Sequence, residues 1–111
     1  MKKFRFSLET VLDYKQQVLA TLQTEHGAIL AQIRAQEQHI EELEAAYRHL
    51  DHEFTRRKLA GIAILDAMKY EQYLRSSERQ IQEAYQHLDH LHRQEEAKRE
   101  QVVEAKKETS S

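Results

Sequence analysis

An unbroken heptad pattern in the first half of the chain is the feature that most constrains its fold. Two rows of positions, each with a spacing of seven residues, are apolar except at Lys15, His26 and Gln36. Apolar rows sustained over this length are typical of a coiled-coil helix, because they keep one stripe of the helix facing a partner. The rows are Leu12, Leu19, His26, Ile33, Ile40, Tyr47 and Phe54, and Leu8, Lys15, Leu22, Ile29, Gln36, Leu43 and Leu50.

The start of this first helix carries recognisable capping residues. Ser7 is a good N-cap residue, and Glu9 in the first turn suits the positive end of the helix dipole. Phe6 and Val11 have the spacing of a hydrophobic staple. The pattern therefore predicts a first helix over about residues 7–59.

A second and weaker heptad pattern follows Gly61 and predicts a helix over about residues 64–107. Lys106 and Lys107 suit its last turn, and we expect residues 108–111 to fray. Its two rows include small or polar members at Ser77, Glu95 and Lys98. The rows are Ala67, Leu74, Ile81, Leu88, Glu95 and Val102, and Tyr70, Ser77, Ala84, Leu91, Lys98 and Ala105.

Residues 60–63 lie between the two patterns and are predicted to form a bend. Gly61 can take the left-handed conformation that ends a helix, and the basic residues 56–58 before it suit the negative end of a helix dipole. The chain contains no proline and has no alternating, strand-like segment. The sequence therefore predicts an all-α fold with two long helices that form one antiparallel coiled-coil hairpin over residues 1–111.

A hairpin folded at Gly61 makes specific predictions about which residues face each other. It places His26 opposite Glu95, so that the polar members of two otherwise apolar rows meet. We favour a polar layer that sets the register, and a pH-sensitive pair is the alternative. The same register leaves Leu8 without a partner in the second helix. An apolar stripe of this kind indicates an external partner or a missing piece of chain.

Composition and motifs argue against several functional classes. The net charge of −2 is not that of a nucleic-acid-binding domain, and no apolar segment is long enough to span a membrane, so neither nucleic-acid binding nor direct membrane insertion is expected. The absence of cysteine excludes disulfides and fits a cytoplasmic location. No phosphate-binding loop or nucleophile motif is present. We therefore expect neither enzymatic activity nor a cofactor.

The seven histidines raise the question of a metal site. His49 and His52 form one cluster, and His87, His90 and His92 form another. The hairpin register places the two clusters at different levels, and no cysteine accompanies them. We therefore interpret them as solvated residues of the helix surface and predict no metal site.

Tyrosines are concentrated near the predicted bend. Tyr47, Tyr70 and Tyr73 lie in this part of the chain, but Tyr73 and Met68 fall outside the two inward-facing rows. Tyrosine is favoured in protein interfaces because its ring is apolar and its hydroxyl is polar. This pattern favours a partner surface near the bend; side chains that merely fold over the edge of the seam are the alternative.

Three stretches of the sequence resemble the FliJ family, the small coiled-coil component of the flagellar type III export apparatus. The first is KFRFSLETVLDYK at Lys3–Lys15, which is similar to the family's aromatic and basic start. AGIAILDAMKYEQYL at Ala60–Leu74 resembles the family's bend and the opening of its second helix. The third is RQEEAKREQVVEAKKE at Arg93–Glu108. The resemblance extends over nearly the whole chain.

The resemblance implies a hairpin similar to the central stalk of rotary ATPases. Such a protein would bind the export ATPase hexamer, couple it to the cytoplasmic domain of the export gate and handle export chaperones. It would be cytoplasmic and peripheral at the cytoplasmic face of the membrane. The implied ATPase-facing residues are Leu8, Val11, Leu12 and Lys15, and the implied gate-facing residues are Tyr47, Tyr73 and Ser77. Ser77 departs from the family's pattern.

Two further points concern the end of the chain and the alternatives to this function. Family members usually continue with another basic helical segment, so we expect the sequence ending at KKETSS to be truncated; a naturally short family member is the alternative. The alternative function is a generic coiled-coil adaptor or spacer that acts without an ATPase. A nucleic-acid-binding helical arm is disfavoured by the acidic residues of the first helix, among them Glu37, Glu41 and Glu42.

Overall fold

A computed structural model describes residues 7–110, which form two helices. Helix α1 comprises Leu8–Ala60, and helix α2 comprises Ile64–Ser110. Residues 61–63 join them, and no strand occurs within residues 7–110. The two helices pack against each other in an antiparallel arrangement, as the contacts described below show. The predicted all-α, antiparallel coiled-coil hairpin is confirmed.

Helix α1 begins with the cap that the sequence indicates. The backbone N–H of Thr10 donates to Ser7 Oγ at 3.0 Å, and the N–H of Val11 donates to the Ser7 carbonyl at 3.2 Å. Ser7 thereby satisfies backbone donors that have no partner inside the helix, and its role as N-cap is confirmed. Phe6, the other half of the predicted hydrophobic staple, lies outside the described residues.

The bend depends on the backbone conformation of Gly61. Its φ angle is 98°, in the region that side chains with a Cβ atom disfavour, and its N–H donates to the Lys58 carbonyl at 3.3 Å. Helix α1 continues one residue beyond the predicted position 59, to Ala60. Helix α2 then begins with a bond from the Ala67 N–H to the Ala63 carbonyl at 3.0 Å. Ala63 has no polar side chain with which to cap this helix.

Helix α2 extends further than the sequence indicates. Its predicted end was near Lys107 with fraying beyond, but the structure continues the helix to Ser110. Thr109 Oγ1 shares its one proton between the carbonyl oxygens of Ala105 and Lys106, at 3.2 and 3.0 Å, as threonine commonly does inside a helix. No proline or glycine interrupts this last part of the helix. Ser111, the last residue of the predicted tail, lies outside the described residues.

Contacts within the chain define two compact units. The bend unit comprises residues 34–90. The terminal unit comprises Met1–Ile33 and Leu91–Ser111, of which residues 7–33 and 91–110 are described. In both units the residues that the heptad patterns direct inward, from Lys15 on in α1 and from Ala67 on in α2, are buried or half-buried.

The core of each unit is a single apolar seam. In the bend unit the buried members are Ile40, Phe54, Leu74 and Ala84. In the terminal unit they are Ile33, Leu91, Val102 and Ala105. Burying a large apolar side chain of this kind contributes roughly 1.5–3 kcal/mol, so these few residues dominate the stability of a seam that is only two helices wide.

Candidate partner-binding surfaces

The first two turns of α1 expose the apolar stripe that the sequence singles out. We call Leu8, Val11, Leu12 and Lys15 the terminal stripe. The exposed fractions of Leu8, Val11 and Leu12 are 89%, 41% and 43%, and Lys15 is half-buried. Their spacing places them on one helix face. Because later members of the same heptad rows, from Lys15 and Leu19 on, are half-buried or buried, Leu8 and Leu12 are the members of these rows that the described residues leave exposed.

A groove in the terminal unit was not foreseen from the sequence. Val18 and Leu22 of α1 and Ala105 of α2 contribute apolar lining to a shallow space of about 620 Å³. Glu100, Glu104 and Glu108 of α2 also line it. Their spacing of four residues in the sequence was a usable signal, since it places the three carboxylates on one face of a helix.

The three predicted gate-facing residues have different environments in the structure. Tyr73 is 61% exposed, and the neighbouring Met68 is 62% exposed. Tyr47 is half-buried, and its hydroxyl donates to Glu78 Oε2 at 2.8 Å. Ser77 is also half-buried. Of the three, only Tyr73 presents most of its side chain to solvent.

Tyr47 belongs to a polar network that holds α1 against α2. Glu78 also accepts hydrogen bonds from Arg75 Nη1 at 2.7 Å, and Arg75 contacts Glu71 at 3.2 Å. The hydrogen bond from Tyr47, followed by those from Arg75, lowers the pKa of Glu78. The same carboxylate raises the pKa of Tyr47, because a phenolate beside it would be repelled. Glu78 is therefore held in its charged form.

Two other tyrosines make the same kind of contact across the bend unit. The Tyr70 hydroxyl donates to Glu53 Oε1 at 3.3 Å, and the Tyr85 hydroxyl donates to Glu44 Oε2 at 2.9 Å. The Tyr70 ring also stacks on Phe54, with centroids 4.9 Å apart and planes 2° apart. In each case tyrosine and glutamate belong to different helices. These bonds tie the edges of the seam together, and the sequence analysis did not predict them.

A small cleft lies beside this stack. Its volume is about 330 Å³, and it is lined by two cations, two carboxylates and three less polar residues: Arg57, Lys69, Glu53, Asp66, Leu50, Tyr70 and Tyr73. Arg57 Nη1 donates to the Tyr70 hydroxyl at 3.1 Å. Tyr73 therefore belongs to a surface that combines an exposed aromatic ring with charged side chains of both signs.

His26 and Glu95 meet in the terminal unit as the hairpin register predicts. His26 Nε2 and Glu95 Oε2 are 2.8 Å apart, and both side chains are half-buried. The hydrogen bond with His26 lowers the pKa of Glu95 most, partial burial opposes this shift, and the charge of Arg99 adds to the lowering. Lys98 Nζ contacts Glu25 Oε1 at 3.1 Å nearby. The structure thus places a polar layer in the seam, and both interpretations of it remain compatible with this geometry.

Two other kinds of site concern the histidine clusters and the apolar content of the helices. Within residues 7–110 no group of three or more histidine, cysteine, aspartate or glutamate residues is placed to hold a metal ion. His49 Nε2 lies 3.8 Å from Glu53 Oε2 on the same helix. In this part of the chain neither helix includes a segment that is long and apolar enough to cross a membrane.

Comparison with protein-family profiles matches residues 4–111 to the family described as Flagellar FliJ protein. The chain belongs to the FliJ family. No curated protein and no solved structure gives a significant match. As a FliJ protein the chain is a component of the flagellar export apparatus, and this family is structural rather than enzymatic. The resemblance inferred from the opening, the bend and the last helix is therefore confirmed.

Proposed function

We propose that this FliJ family member is a stalk-like coiled coil that couples the export ATPase to the export gate. Its terminal unit binds the ATPase hexamer, and its bend unit contacts the cytoplasmic domain of the gate. Export chaperones are a third class of partner. The chain acts in the cytoplasm, at the cytoplasmic face of the membrane, and performs no catalysis of its own.

The exposed terminal stripe is the observation that carries this proposal. Leu8 and Leu12 continue heptad rows whose later members are covered, yet they remain 89% and 43% exposed. Covering one such side chain in an interface contributes roughly 1.5–3 kcal/mol. A ring-shaped ATPase offers inward-facing surfaces that can enclose a helix end on several sides. The stripe therefore supports an ATPase-facing role for Leu8, Val11, Leu12 and Lys15.

The bend unit supports a division of roles among the proposed gate-facing residues. The exposed ring of Tyr73 is available as a direct contact, and the cleft beside it offers charged side chains of both signs for polar contacts with a partner. Tyr47 donates its hydroxyl to Glu78 and so acts by positioning the helices. Ser77 lies at the edge of the seam, where it is half-buried. We therefore assign the largest share of gate affinity to Tyr73.

The ATPase contact is tested with a matched pair of variants. The chain is mixed with its export ATPase, and ATP hydrolysis and hexamer formation are measured together. We expect the wild-type chain to stimulate both ATP hydrolysis and hexamer formation. Leu12→Ser should weaken binding to the ATPase about tenfold, because the transfer free energy of one leucine is lost. Val103→Ser should bind the ATPase as the wild-type chain does. Leu12 and Val103 are matched because both belong to the terminal unit and are 43% and 45% exposed.

Two results would contradict the ATPase contact. One is a wild-type chain that changes neither hydrolysis nor assembly. The other is an equal loss for Leu12→Ser and Val103→Ser, which would mean that the terminal stripe has no special role. If binding to the ATPase is absent but the chain still joins other export components, the generic adaptor or spacer becomes the better description.

The gate contact is tested with exposed tyrosines from the two units. Tyr73→Ala removes a ring that is 61% exposed in the bend unit, and Tyr14→Ala removes one that is 67% exposed in the terminal unit. We expect Tyr73→Ala to weaken binding to the cytoplasmic domain of the gate at least tenfold, as interface tyrosines commonly do, and Tyr14→Ala to leave it unchanged. Equal affinities for the two variants would refute the assignment of Tyr73.

A further inference from the structure

The bend exposes a cluster of large aliphatic side chains. Leu59 at the end of α1 is 86% exposed, and Ile64, Leu65 and Met68 at the start of α2 are 78%, 70% and 62% exposed. We call these four residues the tip cap. They lie within ten positions of one another on either side of Gly61. An exposed apolar cluster of this density requires an explanation, because soluble surfaces usually scatter such residues singly.

Cationic side chains surround the tip cap. Arg56, Arg57, Lys58 and Lys69 are all exposed, and we call them the basic collar. Arg57 Nη1 bonds to the Tyr70 hydroxyl and Lys58 Nζ lies 4.2 Å from the centroid of the Phe54 ring, so these two cations are held close to the seam. Within residues 7–110 no ion pair involves Arg56 or Lys69.

Negative charge is scarce at the same place. Residues 54–65 contain no aspartate or glutamate. Asp66, the first acidic residue that follows, is half-buried and lines the cleft with Arg57 and Lys69. Glu53, on the other side of the bend, lines the same cleft. The four cations of the basic collar outnumber these two carboxylates, so the tip keeps a net positive charge, although the net charge of the chain is −2.

The backbone adds hydrogen-bond donors that suit an anion. The first hydrogen bond inside α2 is donated by the Ala67 N–H, so the N–H groups of residues 64–66 have no partner within the helix. Ala63 offers no side-chain acceptor for them. Free N–H groups at a helix start attract anionic oxygens, and here they lie directly beside the tip cap and the basic collar.

From this combination we propose that the bend tip docks on the surface of an anionic phospholipid bilayer. The tip cap enters the boundary between headgroups and acyl chains, while the basic collar and the free N–H groups contact phosphate oxygens. An apolar face bordered by lysine and arginine is the chemistry of interfacial membrane binding. The tip does not span the bilayer.

Lipid is favoured over a protein groove by the composition of the tip. Protein interfaces concentrate their binding energy in tryptophan, tyrosine and arginine that fill pockets, whereas the tip cap holds no aromatic ring and three of its four members are leucine or isoleucine. No segment of residues 7–110 is long and apolar enough to span a membrane, but a surface contact needs no such length. This inference goes beyond the coupling function and does not depend on it.

The test uses the absence of tryptophan from the chain. Leu65→Trp introduces a single tryptophan into the tip cap, and Val103→Trp introduces one at an exposed position of the terminal unit. Each variant is titrated with phosphatidylcholine vesicles and with vesicles that also contain phosphatidylglycerol. We expect a blue shift of the emission for Leu65→Trp with the anionic vesicles alone, and none for Val103→Trp with either.

Two double variants then separate the apolar and the charged contributions in a vesicle flotation assay. Ile64→Ser with Leu59→Ser should reduce the partition coefficient at least tenfold, because two aliphatic side chains no longer enter the bilayer. Arg56→Gln with Lys69→Gln should reduce it about twenty-five-fold, from about fivefold per cation, and should weaken its salt dependence. All four positions are exposed, and circular dichroism checks that each variant remains helical.

Three results would overturn the proposal. The first is an unshifted Leu65→Trp spectrum in anionic vesicles. The second is equal binding to neutral and anionic vesicles, which would remove the role of the basic collar. The third is a chain that ignores vesicles while the tip variants lose affinity for the cytoplasmic domain of the gate, because the tip would then be a protein-binding surface. None of these results requires the ATPase, so they leave the coupling function to its own test.

Discussion

The two glycines of the chain provide a sharp test of the hairpin, because substituting each with alanine should change stability in opposite directions. Gly27 lies inside α1, whereas Gly61 lies in the bend with a φ angle of 98°. A Cβ atom built at either position has no atom within 4 Å outside the local backbone. Steric contact is therefore the same at both sites, and only the backbone conformation differs.

The expected magnitudes follow from these conformations. Gly27→Ala should stabilise the protein by about 1 kcal/mol, the difference in helix propensity between the two residues. Gly61→Ala should destabilise it by roughly 1–2 kcal/mol, the cost of a left-handed conformation for a residue with a Cβ atom. The two variants should thus differ by about 2–3 kcal/mol. For a chain of this size that corresponds to roughly 10–15 °C in melting temperature.

Thermal and urea unfolding, followed by circular dichroism at two protein concentrations, measures this difference. The wild-type chain should melt between the two variants, and the order should not change with concentration. If Gly61→Ala melts at or above the wild-type temperature, residue 61 does not need a positive φ and the bend is built differently. If Gly27→Ala is destabilising, residue 27 is not in an exposed, regular part of a helix.

Three further predictions concern the seam. Phe54→Ala should cost about 3–5 kcal/mol in urea unfolding, because it removes a buried, stacked ring; a loss below about 1 kcal/mol would show that the ring is not packed. His26→Leu combined with Glu95→Leu should raise the urea concentration at the unfolding midpoint. His26→Leu alone should lower it, because the Glu95 carboxylate then loses its hydrogen bond with His26. If the double variant shows no rise, the polar layer does not reduce stability. Because the pKa of Glu78 is lowered in the folded state, its contribution to stability is complete above its unfolded pKa of about 4.3 and is lost as the pH falls through the folded value. Tyr47→Phe removes the largest cause of that shift and should flatten the acid limb of the stability profile; an unchanged acid limb would show that the hydroxyl does not hold the carboxylate.

Much of the fold could be derived from local patterns. The heptad rows predicted which residues face inward, and from Lys15 onward the structure buries or half-buries every one of them. Ser7 was recognisable as an N-cap and Gly61 as the residue of the bend, since each depends on the chemistry of one residue and its neighbours. The His26–Glu95 contact also followed, because folding a regular helix pair at a known point sets the register.

The environments of the surface side chains were harder to predict from the sequence. Tyr47 and Tyr73 were assigned together as gate-facing residues, but Tyr47 donates to Glu78 across the helix pair while Tyr73 is exposed. The heptad position of a tyrosine predicts how close it lies to the seam. It does not predict which side chain of the other helix forms a hydrogen bond with the tyrosine hydroxyl. The end of α2 also lies beyond the predicted position 107, because no glycine or proline interrupts the helix before Ser110.

The sequence by itself determined the fold class, the bend and the register, because these follow from the period of the apolar residues and the backbone freedom of one glycine. Only the tertiary structure decided which side chains remain available to partners. It withdrew Tyr47 into an interhelical hydrogen bond with Glu78, and it left Tyr73 exposed. The physical reason is that availability depends on contacts between residues far apart in sequence, which a periodic pattern along one helix does not contain.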